Sequence, residues 1–322
     1  MADTEHYVRD DVRGFLTILE QMGGMALEDS SLEDGRQNYV AMGPMVEKDA
    51  CELAVVRDLS CPGPGSGPGS GDDIPLRLYD LRETREAGPV IMFFHGGGFV
   101  IGDLESHHNL CTEIAATMDL PVVAVDYRLA PEAPFPAAPD DCEAASRWVA
   151  SSPAELGRTA TGLIPMGDSA GGNLAIVITN QLAANPAQVP VVMQVPIYPV
   201  ADDVSHHKSF LDFAKGFLLT GATMEWFSEQ YAADPEDVRN YPMLGDCTNT
   251  PPTVLCTAGL DPLRDSGRRY AAHLIEMGTD VTYLEFKGSI HGFTNLRKAI
   301  PSAQKDLETL LKAMKMMLGR IE

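Results

Sequence analysis

From about residue 50 the chain alternates short, continuously apolar runs with segments whose apolar positions recur at helical spacing. The strand candidates are ELAVVRDL (52–59), PLRLYDL (75–81), PVIMFFH (89–95), PVVAVDY (121–127), TGLIPMG (161–167), VVMQVPIY (191–198), PTVLCTAG (252–259) and VTYLEF (281–286). Most are β-branched and apolar throughout, as strands are when both faces of a parallel sheet are covered. The helix candidates are 106–118, 139–151, 170–184, 265–278 and 304–319, several of which start with Ser, Asp or Pro. Strand–helix alternation of this kind predicts an α/β fold, a doubly wound and mostly parallel sheet of eight strands flanked by helices.

Three stretches interrupt the alternation. CPGPGSGPGSGD (61–72) has no regular-structure pattern and reads as a flexible exposed loop joining the first two strands. Residues 1–45 and 203–235 read as helical and are not needed to build the sheet. The second is rich in Phe, Leu and Met and contains Trp226, which at helical spacing reads first as packing. The two segments could also pack together as a cap. The expected organisation is therefore a catalytic domain of residues 46–202 and 236–322 with a helical cap of residues 1–45 and 203–235.

Composition narrows the function classes. Against 46 acidic residues stand 24 Lys and Arg, a net charge of −22. Such a surface repels phosphate backbones and anionic lipid, so neither nucleic acid nor a membrane is an expected partner. There is no basic-then-apolar leader and no run of about 18 apolar residues, so a soluble, cytoplasmic protein is expected. The six cysteines lack CxxC spacing and a secretory context, which implies reduced thiols. The adjacent pairs His107–His108 and His206–His207 have no third ligand at a helical or hairpin spacing, so no metal is expected.

One short stretch carries the chemistry. Gly167-Asp168-Ser169-Ala170-Gly171 is a G-x-S-x-G sequence that follows one strand candidate and opens a helix candidate. That is the setting of a nucleophile elbow. The turn is so tight that residues two before and two after the serine collide unless both are Gly. Alone the pattern carries little weight, but two features support it. FFHGGGF (93–99) leaves a strand end through three glycines, whose amides are unshielded. Gly96, Gly97 and Gly98, with the Ala170 amide, are candidate donors to an oxyanion, and the sequence does not say which two of the glycines point inward. The second feature is order: Asp261 follows one later strand candidate and His291 the next. In that order His291 would take the Ser169 proton while Asp261 fixes its tautomer. Asp265, a turn into the next helix, competes with Asp261 for this role.

The stretches FFHGGGF, VVAVDYRLAPEAPFPAAPDD, GDSAGGNLA, YPVAD, AGLDPLRD and HGF resemble the bacterial hormone-sensitive lipase family, the family IV esterases. The resemblance runs from about residue 75 to 320. It implies an α/β-hydrolase fold with a helical cap and hydrolysis of short-chain carboxylic esters, about two to eight carbons, without a cofactor. It also implies catalytic roles for Ser169, Asp261 and His291, with Gly96, Gly97 and Ala170 in the oxyanion hole. Asp168 places the chain with members that carry Asp before the nucleophile. In the family a His usually follows RLAPE, where this chain has Ala133, which puts a local packing role in doubt. The expected partner is a small-molecule ester, and members occur as monomers and homodimers. Amide, lactone or deacetylation chemistry would use the same triad, and a binding protein on this fold would have lost the histidine that is present here.

Overall fold

The computed structural model describes residues 6–23, 26–64 and 73–321. Its strands are β1 (Val55–Pro62), β2 (Asp73–Asp80), β3 (Gly88–Phe94), β4 (Val122–Val125), β5 (Ala160–Asp168), β6 (Val195–Ile197), β7 (Thr253–Leu260) and β8 (Val281–Ile290). They form one sheet in the order β1-β2-β4-β3-β5-β6-β7-β8. β2 is antiparallel to both β1 and β4, and the pairs from β4 to β8 are parallel. Among the described residues the helices are α1 (Asp10–Met22), α2 (Leu32–Val46), α3 (His108–Met118), α4 (Ala137–Ala150), α5 (Ala170–Ala184), α6 (Lys208–Phe213), α7 (Gly221–Tyr231), α8 (Arg264–Glu276) and α9 (Pro301–Ile321).

The apolar runs are continuous because each strand residue faces one of two cores. Ile91, Phe93, Val122, Ala124, Ile164 and Met166 face a cluster closed by Val12 and Phe15 of α1 and by buried residues of α3 and α9. Their neighbours Val90, Met92, Phe94, Val123, Val125 and Leu163 face a second cluster closed by α4 and α5. Tyr270 and Leu274 of α8 pack with Leu255 and Ile176 on a smaller third one. This is the expected sheet with helices on both faces. All six cysteines are free thiols, five of them buried.

Three boundaries depart from the sequence reading. Cys61 and Pro62, expected to be loop, continue β1 and pair with Ile74 and Asp73. β1 is an edge strand, where a proline can leave its missing donor on the open side. Residues 65–72 of that loop lie outside the described residues. β6 keeps only three residues, with Val191 and Gln194 in single bridges. β8 runs four residues past Phe286, through Gly288 at φ +73°, a left-handed value that suits glycine.

The segments beyond the sheet go to different places. α1 is fastened beside α9 by Arg9, which donates to Asp306 at 2.6 Å and to Ser302 at 3.1 Å. Arg36 of α2 donates to the carbonyls of Val100 and Ala130 and pairs with Glu132. In α6, Ser209 is held by Asp265 and the Pro262 carbonyl. α7 is capped by Thr220, whose hydroxyl accepts from the Thr223 amide, and the Thr223 hydroxyl in turn donates to Glu28. The 203–235 segment thus meets the N-terminal segment at that point.

Candidate active site

The parallel strands deliver their C-terminal ends to one edge of the sheet, where open α/β sheets carry their sites. β3 ends at Phe94, before His95 and the three glycines; β5 ends at Asp168, before Ser169; β7 ends before Asp261; β8 ends before His291.

Ser169 has φ 56° and ψ −117°, a strained conformation for a residue with a side chain. Its neighbours permit it. A Cβ on Gly167 would lie 2.5 Å from the Gly171 carbonyl carbon and closer to two carbonyl oxygens. A Cβ on Gly171 would lie 2.6 Å from the Phe94 carbonyl carbon and 2.8 Å from the His95 oxygen. The collision expected from the motif is therefore real, and the elbow is wedged against the end of β3 as well as against itself.

Ser169 Oγ lies 2.8 Å from His291 Nε2, and His291 Nδ1 lies 2.8 Å from Asp261 Oδ2. Asp261 is fully buried, and its other oxygen accepts from the Leu263 amide at 2.8 Å. Asp261 has no proton to donate while ionised, so Nδ1 of His291 carries one and Nε2 is left to accept from the serine hydroxyl. Asp265 is directed elsewhere: it accepts from the Ser209 amide and pairs with Arg264 and Arg268.

The glycine loop divides its donors. The Gly96 amide donates to Asp168 Oδ1 at 2.8 Å, which corrects the expectation that it faces the reacting centre. The amides of Gly97 and Gly98 have no protein acceptor among the described residues. Both glycines are at positive φ, +115° and +61°. A Cβ on Gly97 would meet the Ile101 backbone at 2.7 Å, and one on Gly98 would meet the Phe227 ring of α7 at 2.5 Å. Ala170 begins α5, so its amide belongs to the first turn, which has no intrahelical acceptor.

A buried polar cluster lies beneath these loops, and sequence reasoning missed it. His107 Nε2 is 3.1 Å from Asp168 Oδ1 and 2.9 Å from the Asn295 side-chain amide. Tyr198 donates to Asp168 Oδ2 at 3.4 Å and shares a short hydrogen bond with Thr294. Burial opposes the Asp168 charge, but His107 and the Gly96 amide hold its carboxyl below the usual range. His95 is pushed down to about 4 by burial and by His107, and stacks on Tyr127 at 4.3 Å. The pairing of His107 with Asp168 spans 61 positions, too far for any local pattern to signal it.

Of the other histidines in the two adjacent pairs, His108 contacts the Tyr79 hydroxyl, His207 pairs with Asp202, and His206 is exposed. Among the described residues, no three His, Cys, Asp or Glu side chains are grouped to hold a metal, and no helix is long and apolar enough to cross a membrane. Ala133 lines an open groove of about 660 Å³ with Arg36, Asp126 and Arg128, and its amide donates to the Leu129 carbonyl.

A family model described as the α/β hydrolase fold matches residues 91–295. The chain belongs to this α/β-hydrolase family, among the hormone-sensitive-lipase-like esterases that its motifs resemble. Ethyl acetate hydrolase of Pseudomonas putida is 35% identical over 96% of this chain and 98% of its own length. Carboxylic ester hydrolase LipN of Mycobacterium tuberculosis is 37% identical over 87% of this chain and 73% of its own length. Among solved structures, ester-hydrolase EH1AB1 from the Lake Arreo metagenome superposes with a TM-score of 0.90 at 36% identity, covering 97% of this chain and all of that one.

Proposed function

We propose that the chain, a carboxylic ester hydrolase, cleaves small-molecule esters of short acyl chains, about two to eight carbons, through an acyl-enzyme on Ser169. The observation that carries the proposal is the unbroken line of hydrogen bonds from Ser169 through His291 to buried Asp261. Ser169 Oγ attacks the ester carbonyl as His291 Nε2 takes its proton, and Asp261 stabilises the imidazolium that forms. The tetrahedral oxyanion is met by the amides of Gly97, Gly98 and Ala170, which stay fixed while the charge develops. His291 then gives its proton to the leaving alcohol. Water enters, loses a proton to His291 and cleaves the acyl-enzyme by the reverse sequence, restoring Ser169.

Two features support a short acyl group. Phe227 lies directly against Gly98, so the oxyanion loop is bounded by a bulky apolar wall. One relative spanning almost the whole chain is named for ethyl acetate, a two-carbon acyl ester. Of the two segments expected to form a cap, we assign the turn at Leu27–Asp29, α2 and α7 to it, with α7 and that turn in contact above the loop, whereas α1 packs beside α9 under the sheet. The test is a p-nitrophenyl ester series run beside Ser169→Ala in the presence of EDTA. The wild type is expected to peak between two and eight carbons, and the variant to lose about 10⁴-fold or more in kcat. A peak at twelve carbons or beyond would overturn the chain-length assignment.

A further inference from the structure

We infer that Asp168 is a positioning residue for the oxyanion donors, braced by His107, so that one buried carboxylate sets the spacing between nucleophile and oxyanion hole. The inference rests on the serine mechanism proposed above. Asp168 immediately precedes Ser169, and its backbone belongs to the elbow. Its Oδ1 accepts the Gly96 amide at 2.8 Å, and Gly96 precedes the two glycines whose amides are free. The contact leaves no slack: a Cβ on Gly96 would lie 2.9 Å from the Asp168 carbonyl oxygen and closer to its carboxylate. One side chain therefore ties the peptide carrying the nucleophile to the loop carrying the donors, with no flexible stem between them.

The carboxylate is itself held. It is 3% exposed and faces His107 Nε2 at 3.1 Å and the Tyr198 hydroxyl at 3.4 Å. An ionised carboxylate only accepts, so this contact requires a proton on Nε2 of His107, and Asn295, 2.9 Å from the same nitrogen, then packs against it without donating to it. His107 is 2% exposed, and its Nδ1 lies 3.0 Å from Ser106 Oγ. Asn295 and Thr294, which touch His107 and Tyr198, lie in the turn that follows His291. The cluster thus joins the oxyanion loop, the elbow and the histidine loop in one water-excluded unit. Catalytic geometry must be held to within about 0.5 Å, and this is a supporting shell that can do so.

A merely structural role for Asp168 predicts different data. Asp168→Ala is expected to lower kcat by about 10²–10³, the cost of losing one oxyanion donor, with KM for p-nitrophenyl butyrate within about twofold of wild type. Affinity for a trifluoromethyl ketone, which adds Ser169 to form a tetrahedral oxyanion, should fall by the same factor as kcat/KM. Asp168→Asn keeps an acceptor for the Gly96 amide and should recover at least tenfold. His107→Gln, which can present an amide N–H at the Nε2 position, should show a smaller, parallel loss in both quantities and keeps the test open if Asp168→Ala does not fold. Active-site titration with a fluorophosphonate separates the cases. If the lost activity equals the lost titratable serine, or if ketone affinity stays at the wild-type value while kcat falls, the positioning role is wrong. A wild type that neither turns over the ester nor binds the ketone would instead sink the serine mechanism itself.

Discussion

Gly171 offers the sharpest test of how tightly the elbow is built. Replacing it with alanine adds one methyl group, whose carbon would stand 2.6 Å from the Phe94 carbonyl carbon and 2.8 Å from the His95 oxygen. Both obstacles are backbone at the end of the central strand β3, so no side chain can rotate away. Overpacking of this kind costs about 1–3 kcal/mol where neighbours can yield. Here the main chain must move, and we expect the top of that range, roughly 3 kcal/mol. For a chain of this size that lowers Tm by about 4–5 °C. The loop that must yield carries the oxyanion donors, and a shift of about 1 Å there costs on the order of 10² in rate. Gly14 of α1 provides the control, because a Cβ there meets nothing within 4 Å. Gly14→Ala should gain about 0.5–1 kcal/mol with unchanged kcat. Thermal unfolding followed by scanning fluorimetry, with p-nitrophenyl butyrate kinetics on the same samples, measures both. A Gly171→Ala variant with wild-type Tm and wild-type kcat would refute the steric account of the elbow.

Two further outcomes follow from buried charge. Arg297 is fully buried between Glu47 and Glu113, so Arg297→Met leaves two carboxylates without their cation. It should destabilise by about 3–5 kcal/mol in urea titrations. Burial already raises the Glu47 carboxyl against the pull of Arg297, so the deficit should shrink at pH 5, where Glu47 can take up a proton. An equal deficit at pH 5 and pH 8 would contradict this. Burial and the neighbouring Asp103 push the Asp126 carboxyl up to about 6. Its protonated form is the favoured one in the fold, so its contribution to stability is present below about pH 4 and lost as pH rises through 6. Asp126→Asn should therefore raise Tm at pH 8 and leave it unchanged at pH 4; a gain of the same size at both would show that charge is not the cause.

How much of this was legible beforehand depended on the distance over which each feature is encoded. The elbow was readable because its steric conflict lies within five consecutive residues, Gly167 to Gly171, and α5 occupies 170–184, the bounds its apolar spacing indicated. Asp261 and His291 were readable because each comes soon after an apolar run in the right order, although β8 continues four residues beyond its run before reaching His291. The choice among the three glycines was not, since it turns on the Gly96 amide finding Asp168 72 residues away. In the sequence His107 stands out only as one half of a histidine pair, because its partners Asp168 and Asn295 come from other strand ends. The burial of α1 beside α9 was equally hidden, since only Val12 and Phe15 of that helix are buried. Local sterics and strand ends leave a mark in sequence, whereas polar contacts between loops leave almost none.

The central claim is that acyl transfer passes through Ser169. Its most direct measurement is intact-mass and peptide analysis of the protein after brief reaction with p-nitrophenyl butyrate and acid quench, beside Ser169→Ala. The account predicts one butyryl group per chain, carried on the peptide that contains Ser169 and absent from the variant. A wild type that turns over the ester with no acyl group on that peptide, or a variant that retains turnover, would contradict it.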